Sequence, residues 1–396
     1  MHHLAHRAPV PCRWQGLLIL VLLLVFVFSV AEGIIGTLTL FGEAREASAK
    51  DLQAVSQRSA QPGKTQLHVR FFAAGHGDSA LFWVPGKHYV LVDAGIGSRV
   101  LGDHLLKRRV FPFLKGKGIS KLDAFFITHP HFDHVGDPVL LRKRTGFGVA
   151  YSNRDGAKYL AQRRNRLVRA GKGPLKLKTL WRGDSVRFGK LVFEVLHPTR
   201  RDFRKSNPSL WDQNNRSLVM RVRFGDVSFL MAGDAGYAGE RRILSAYKKR
   251  RKRGKRRAAS ARDKGKDTKG KDTKGKDKKN TKHRSAPTVR PGLPGVRARV
   301  LKLGHHGTGS TSSAWIRAVR PKYAVATCCF RPQKKELKPS LRRRLSRYGV
   351  KMFRTDKHKD IEFVTDGKTL RCTTHISFKH LGRRHREWGR KKGLLP

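Results

Sequence analysis

The 396-residue sequence predicts an α/β protein, a four-layer αββα sandwich in which two β-sheets face each other and helices cover the outside. Three observations predict it. Short β-type runs recur in both halves of the chain. Stretches with helical spacing lie between them. The runs end in loops carrying Gly, Asp or His.

Taken in order, "LHVRFFAA" from Leu67, "SALFWV" from Ser79 and "HYVLVDAG" from His88 are strands. "LGDHLLKRRV" from Leu101 has helical spacing, and "LDAFFIT" from Leu122 is an apolar strand. The second series is "DSVRFGKLVFEVLHP" from Asp184, "RSLVMRVRFGDVSFLMAGD" from Arg216, "RARVLKLGHHG" from Arg297, "KYAVATCCF" from Lys322 and "VKMFRTD" from Val350. The sandwich is expected to occupy residues 65–380. Residues 42–64, small and polar with Pro62-Gly63, read as a linker, and 381–396 as a basic tail.

Residues 1–41 read differently. Arg7 and Arg13 precede an uncharged, almost wholly apolar run from Leu17 to Ala31, with small residues at Ser29-Val30-Ala31. This is the pattern of a signal peptide. Apolar character resumes from Ile34 to Phe41, so a single membrane anchor is the rival reading. Either one puts the folded body outside the cytoplasm, exported or held at a membrane.

Charge is the outlier in composition. There are 87 Lys+Arg against 28 Asp+Glu, a net of +59. From Lys248 to Arg290 there are 21 Lys/Arg and 4 Asp, so +17 sits there and +42 remains on the other residues. That segment contains the five-residue repeat in "KGKDTKGKDTKGKD" and almost nothing apolar, so it is expected to be a disordered insertion. The balance implies a polyanionic partner, nucleic acid or another polyanion. The four cysteines, Cys12, Cys328, Cys329 and Cys372, show no CxxC spacing, which argues against a thiolate zinc site. Cys328 and Cys329 read as buried strand residues, and a disulfide from Cys372 to one of them is compatible with export.

The densest chemistry lies in "ITHPHFDHVGD", Ile127 to Asp137. Metal ligands must converge to about 2.0–2.2 Å from an ion. His129 and His131, two apart in an extended loop, can point the same way, while Asp133 and His134 can face a second ion. One loop cannot complete a dinuclear site, so further donors are expected at other strand ends. His197 in "VLHP", Asp234 in "MAGD" and His305-His306 in "LGHHG" each follow an apolar run. The bland reading of Asp234 is turn chemistry, and of His197 a structural histidine before proline.

HxHxDH followed in order by His, Asp and His at strand ends resembles the metallo-β-lactamase-fold hydrolases. "FFAAGHGDSALFWVPGKHYVLVDAG", "DQNNRSLVMRVRFGDVSFLMAGDAG", "VLKLGHHGTGSTSSAWIRAVRPKYAV" and "FRTDKHKDIEF" look like the soluble hydrolase domain of ComEC-type competence proteins. The likeness covers roughly residues 67–370, less the basic insertion. It implies two zinc ions, with manganese or iron as alternatives. It implies His129, His131 and His197 on the first ion, and Asp133, His134 and one of His305 and His306 on the second. Asp234 would bridge both, and Asp93 would orient the ligand loop. Asp133 would also accept a proton, and Asp78, Asn214 and Ser217 would line the pocket. One departure is His76, where the family has glutamine. Another is the lack of a multi-pass membrane channel in this sequence.

These features together imply a metal-dependent hydrolase, a phosphodiesterase or nuclease acting on DNA. Two rivals stand beside it. One is a metallo-hydrolase of another ester, such as a wall-polymer phosphodiester, a cyclic nucleotide or a lactam. The other is a non-catalytic polyanion-binding protein on the same scaffold.

Overall fold

Side chains of a strand alternate between its two faces, and here that alternation divides the core into three. Val90 and Val92 enter one apolar cluster while Leu91 enters another. Val227, Phe229 and Met231 enter the first while Leu230 enters a third. The first cluster draws on both sheets and fills the space between them. The other two sit under helices on the outer faces. Such near-continuous apolar strands are what a sheet covered on both sides requires.

The computed structural model of the chain describes residues 65–375 apart from 76, 98–103, 172, 205–207, 250–294 and 329–336. The expected N-terminal segment and linker, His76, nearly all of the basic insertion and the C-terminal tail lie outside the described residues. A helical run at 237–249 takes in the insertion's first two residues. Among the described residues no helix is long and apolar enough to cross a membrane.

One sheet contains β1 (Leu67–Phe71), β2 (Ala80–Val84), β3 (His88–Val92), β4 (Ala124–Ile127), β5 (Val149–Ser152), β6 (Lys176–Thr179), β14 (Asp360–Thr365) and β15 (Leu370–His375). Their order is β15-β14-β1-β2-β3-β4-β5-β6. The other contains β7 (Ser185–Phe188), β8 (Leu191–His197), β9 (Val219–Phe224), β10 (Val227–Met231), β11 (Val300–Lys302), β12 (Tyr323–Ala326) and β13 (Lys351–Arg354). Its order is β13-β12-β11-β10-β9-β8-β7. β3 to β6 pair in parallel, as do β10 to β13. Both sheets are mixed, and the αββα expectation holds.

Aromatic rings join the sheets. Phe193 of β8 meets Phe82 at 5.5 Å between centroids and stacks on Phe126 at 4.7 Å. Phe82 also meets Phe229 of β10 at 5.9 Å. Local signals set the helices. Asp137 caps the helix Pro138–Thr145 by accepting from Leu140 N–H, Pro138 opens it, and Gly146 ends it in the left-handed conformation. Ser209 and Asp212 form a capping box on the helix Leu210–Asn215.

Cys328 lies just past β12 and is only partly buried, so the expectation of a fully buried strand position is corrected. Cys328 and Cys372 are both free thiols, which excludes a bond between these two. The Cys328 thiol is pushed up to about 12 by burial and by nearby Asp356.

Truncating the ring that ties both sheets together tests this packing. Phe193→Ala is expected to cost about 3–5 kcal/mol of stability, measured by urea unfolding. A loss below about 1 kcal/mol would show that the sheets do not depend on this contact.

Candidate metal centre

The parallel strands carry their functional loops at the same end, the C-terminal end, where open α/β sheets place ligands. β3 leads into Asp93, β4 into the loop Thr128–His134, β10 into Asp234, and β11 into His305 and His306. Backbone bonds lock the first two loops together: Asp93 N–H donates to Phe126 O at 2.8 Å and Ala94 N–H to His134 O at 2.7 Å. His131 precedes the short helix Phe132–Val135, whose first turn buries Asp133 and His134. A Cβ on Gly77 would stand 2.4 Å from Asp133 O, so the chain can pass there only without a side chain.

Asp234 is 2 % exposed and stands at the centre. Its Oδ1 is 3.2 Å from His134 Nε2. Its Oδ2 is 3.9 Å from His129 Nε2, 3.9 Å from His305 Nε2 and 3.6 Å from His306 Nε2. The His129 and His131 rings lie 4.4 Å apart. Asp133 Oδ2 is 3.1 Å from His306 Nε2. Ser217 Oγ accepts from Asp234 N–H at 3.0 Å, which fixes the carboxylate's backbone.

Two other carboxylates act behind the histidines. His134 Nδ1 lies 2.9 Å from Asp93 Oδ2, so it carries the proton and Nε2 turns toward Asp234. Asp93 also accepts from Thr128 N–H and Thr128 Oγ1, both at 2.8 Å. His306 Nδ1 lies 3.1 Å from Asp78 Oδ1 and Nε2 turns toward Asp133. A carboxylate that fixes the tautomer and orientation of a ligating histidine is the usual support of a metal site. Asp78 further pairs with Lys302 Nζ and accepts from Thr327 Oγ1.

The charges explain the titration of the group. Burial opposes ionisation of Asp234, but the His134 and His306 charges outweigh it and hold the carboxyl well below its usual range. Burial pulls His306 down, yet Asp234 and Asp78 push it up to about 9. His134 is raised well above its ordinary value in the same way. His129 goes the other way, driven down by burial and then by the His134 charge. The carboxylates thus draw positive charge into a buried space. His129 Nε2, His131 Nε2 and His197 Nδ1 are buried without a hydrogen bond, and His134 Nε2 and Asp234 Oδ1 face one another at 3.2 Å. Buried imidazole nitrogens without a hydrogen bond beside a carboxylate fit a divalent cation. Asp78, His134, Asp234 and His306 each offer an atom within 4.8 Å of the others. Because Asp78 is already committed to Lys302, Thr327 and His306, we read it as support for His306 rather than as a ligand.

Most of the sequence-derived residues lie within contact of one another. His129, His131, Asp133, His134, Asp234, His305 and His306 converge, and Asp93 and Asp78 back them. His306 makes the close contacts, while His305 lies at the rim against the Trp211 ring at 5.1 Å. His197 is different. Its Nε2 donates to Asn215 O at 2.7 Å and its Nδ1 faces Asp202 at 3.7 Å. Its Nδ1 is buried without a hydrogen bond. Asn214 is buried with Oδ1 unpaired. Lys302 and Thr327 were not anticipated, nor was Gln213, which hydrogen-bonds His131. For Lys302 a signal existed: a lysine inside the apolar run "RVLKLG" must find an anion if the strand is buried.

Two outcomes follow from this geometry. Asp93→Ala is expected to weaken divalent-metal affinity by about 10- to 100-fold, read by competition with a chromogenic chelator; unchanged affinity would reduce Asp93 to a backbone prop. His197 is held down at about 4, chiefly by burial. The unfolded chain binds that proton near 6.5, so stability is complete above pH 6.5 and drains away as pH falls toward 4. The loss is about 3 kcal/mol. Urea melts across that window are expected to show it in the wild type and to lose it in His197→Gln.

Comparison with known proteins agrees with this architecture. A family model for the metallo-beta-lactamase superfamily matches residues 73–270. ComE operon protein 3 of Bacillus subtilis (strain 168) is 25 % identical over 308 residues, covering 73 % of this chain and 32 % of that protein. Competence protein ComA of Neisseria gonorrhoeae is 24 % identical over 314 residues, covering 78 % and 34 %. The chain thus spans about a third of the length of these curated relatives. Among solved structures, the metallo-beta-lactamase fold protein YhfI from Bacillus subtilis aligns over 72 % of this chain and 96 % of its own, at 13 % identity and a TM-score of 0.40. A diphosphatase from the PhnP family aligns over 76 % and 98 %, at 13 % identity and a TM-score of 0.38. The family match, which takes in Asp93, the loop Thr128–His134 and Asp234, makes the chain a metallo-beta-lactamase superfamily hydrolase with homology to competence proteins.

Proposed function

We propose that the chain is a metal-dependent phosphodiesterase that hydrolyses nucleic acid, exported or anchored by its N-terminal apolar segment. One observation carries the reading: Asp234 sets Oδ1 3.2 Å from His134 Nε2 and Oδ2 within 3.9 Å of the Nε2 atoms of His129, His305 and His306. A buried carboxylate that offers both oxygens to several imidazoles is suited to being shared by two cations. The family resemblance assigns such a carboxylate to phosphodiesterases rather than to β-lactamases, and a net charge of +59 suits a polyanionic substrate.

His129, His131 and Asp234 would hold one ion; Asp133, His134, His306 and Asp234 would hold the other. Zinc suits these donors, with manganese or iron as alternatives. Cations there would polarise a phosphoryl oxygen and lower the pKa of water. Asp93 and Asp78 keep the His134 and His306 rings aimed. Lys302 balances part of the carboxylate charge. Asp133, 3.1 Å from His306 Nε2, can take up a proton. His305, a fifth exposed, is kept neutral chiefly by burial and can donate a hydrogen bond to a departing oxygen.

The test is hydrolysis by the purified full-length chain of single-stranded DNA, bis(p-nitrophenyl) phosphate and a chromogenic β-lactam, each with and without a chelator. DNA cleavage abolished by chelator and reduced at least about a thousandfold in His131→Ala and Asp234→Ala is expected. Turnover of the lactam or the small ester alone would move the substrate to another ester. DNA binding without any turnover would leave a polyanion-binding protein.

A further inference from the structure

The space between the two sheets is apolar along most of its width and changes character at one edge. There β6 ends one sheet and β7 the other. Residues paired across neighbouring strands share a face. Lys178 of β6 pairs with Tyr151 of β5, and Tyr151 belongs to the inter-sheet cluster, its ring stacked on Phe126 at 4.7 Å. Lys178 therefore stands on the inner face, its Nζ 6.0 Å from the centre of the Tyr151 ring. Lys176 shares that face through its pairing with Val149, while Leu177 packs outward. A sheet covered on both sides asks for apolar residues at such positions; here they are lysines.

Beside Lys178 lies a cavity of about 790 Å³. Tyr151, Leu180 and Val186 form its apolar wall, and Lys178, Arg182 and Arg187 bring three positive charges to it. Asp184 lines it too, but its Oδ2 accepts from Trp181 N–H at 2.8 Å and is held in its own turn. Tyr151 is 8 % exposed, and its hydroxyl has no hydrogen-bond partner among the described residues. The guanidinium of the partly buried Arg182 has none either, and Asp202 acts on it only through space. A buried hydroxyl without a partner, set among cations, calls for an acceptor from outside the protein.

We propose that this cavity binds a small organic phosphate with a flat apolar part, of the size and chemistry of a nucleoside monophosphate. The phosphate lies against Lys178, Arg182 and Arg187 and accepts from the Tyr151 hydroxyl; the flat part lies against Leu180 and Val186. The site is separate from the metal centre, whose donors follow β4, β10 and β11, and the inference does not rest on the nuclease reading.

Size and charge choose the occupant. The volume falls in the range of about 300–1,000 Å³ usual for small-molecule pockets. A bare anion would leave Leu180 and Val186 against water, and an uncharged ring would leave three cations without a counter-charge. A second copy of the chain docking here about a two-fold axis would set these cations against themselves. An inward-pointing lysine on an edge strand also deters pairing with other chains. That accounts for Lys178, but not for Arg182 in the turn or for the Tyr151 hydroxyl.

The experiment is isothermal titration calorimetry on the full-length chain in a chelator, which keeps metal ions from holding the phosphate. Adenosine monophosphate is the probe, beside adenosine and inorganic phosphate. The nucleotide is expected to bind at about one per chain, with adenosine and inorganic phosphate each weaker by about tenfold or more. Arg182→Gln is expected to weaken the nucleotide about tenfold or more, because a charge-assisted hydrogen bond goes. Tyr151→Phe keeps the stacked ring and is expected to cost about threefold to tenfold. Lys178→Gln, at an exposed position, should weaken binding likewise, and circular dichroism melts check that each variant folds. Asp234→Ala should bind as the wild type does. No nucleotide binding by the wild type, equal affinity for the nucleotide and inorganic phosphate, or binding lost in Asp234→Ala but unchanged in the three cavity variants would each overturn the proposal. So would an oligothymidylate that binds through Arg182 where the mononucleotide does not, which would make the cavity a strand contact.

Discussion

The attraction between buried carboxylates and the positive charge they must gather governs this molecule. Asp78, Asp93, Asp133 and Asp234 are all 5 % exposed or less and meet at one end of the sandwich. Left alone, four such groups would repel one another and lose their hydration. One compensation is built in: Lys302, 1 % exposed, pairs with Asp78 and reaches toward Asp234 at 3.9 Å. The remainder falls to histidines, and two of them, His134 and His306, are raised to hold protons there. A divalent cation among the same nitrogens and oxygens answers the same need while leaving the rings neutral. The pairing of charges and the chemistry of the site are therefore one problem.

Such a cluster needs a rigid frame, and the alternation of the strands supplies it. Every second side chain locks the sheets face to face, and the others lock helices onto the outside. Little freedom remains for the loops at the strand ends. Asp93, His305 and His306 all have positive φ, at 56°, 47° and 56°. Non-glycine residues hold that conformation where the surroundings over-determine it, as at functional sites. The frame thus absorbs local strain to aim His306 at Asp133.

Much of this was legible in the sequence because it is local. Period-two runs identify strands, and HxHxDH concentrates its donors in a few residues after an apolar run. The order of Asp234 and His306 at later strand ends was legible for the same reason. What escaped is what depends on contacts distant in the chain. The apolar run around Lys302 calls for an anion, but only the fold shows that Asp78, far upstream, supplies it. His197 has the residue type and strand-end position of a ligand, but its ring turns to Asn215 and Asp202, partners that sequence spacing does not reveal. Trp211 and Phe132 have core composition, and only the fold shows them facing solvent. Asn215 was passed over beside Asn214, although its side chain ties two loops together.

The central claim is that this carboxylate–histidine group is a metal centre organised around Asp234. The most direct measurement is elemental analysis of the purified, metal-replete full-length chain beside an Asp234→Ala variant shown to be folded. The account predicts about two divalent ions per wild-type chain, as in shared-carboxylate sites, and loss of both in the variant. Fewer than one ion in the wild type, or a variant that keeps its full complement, would contradict it.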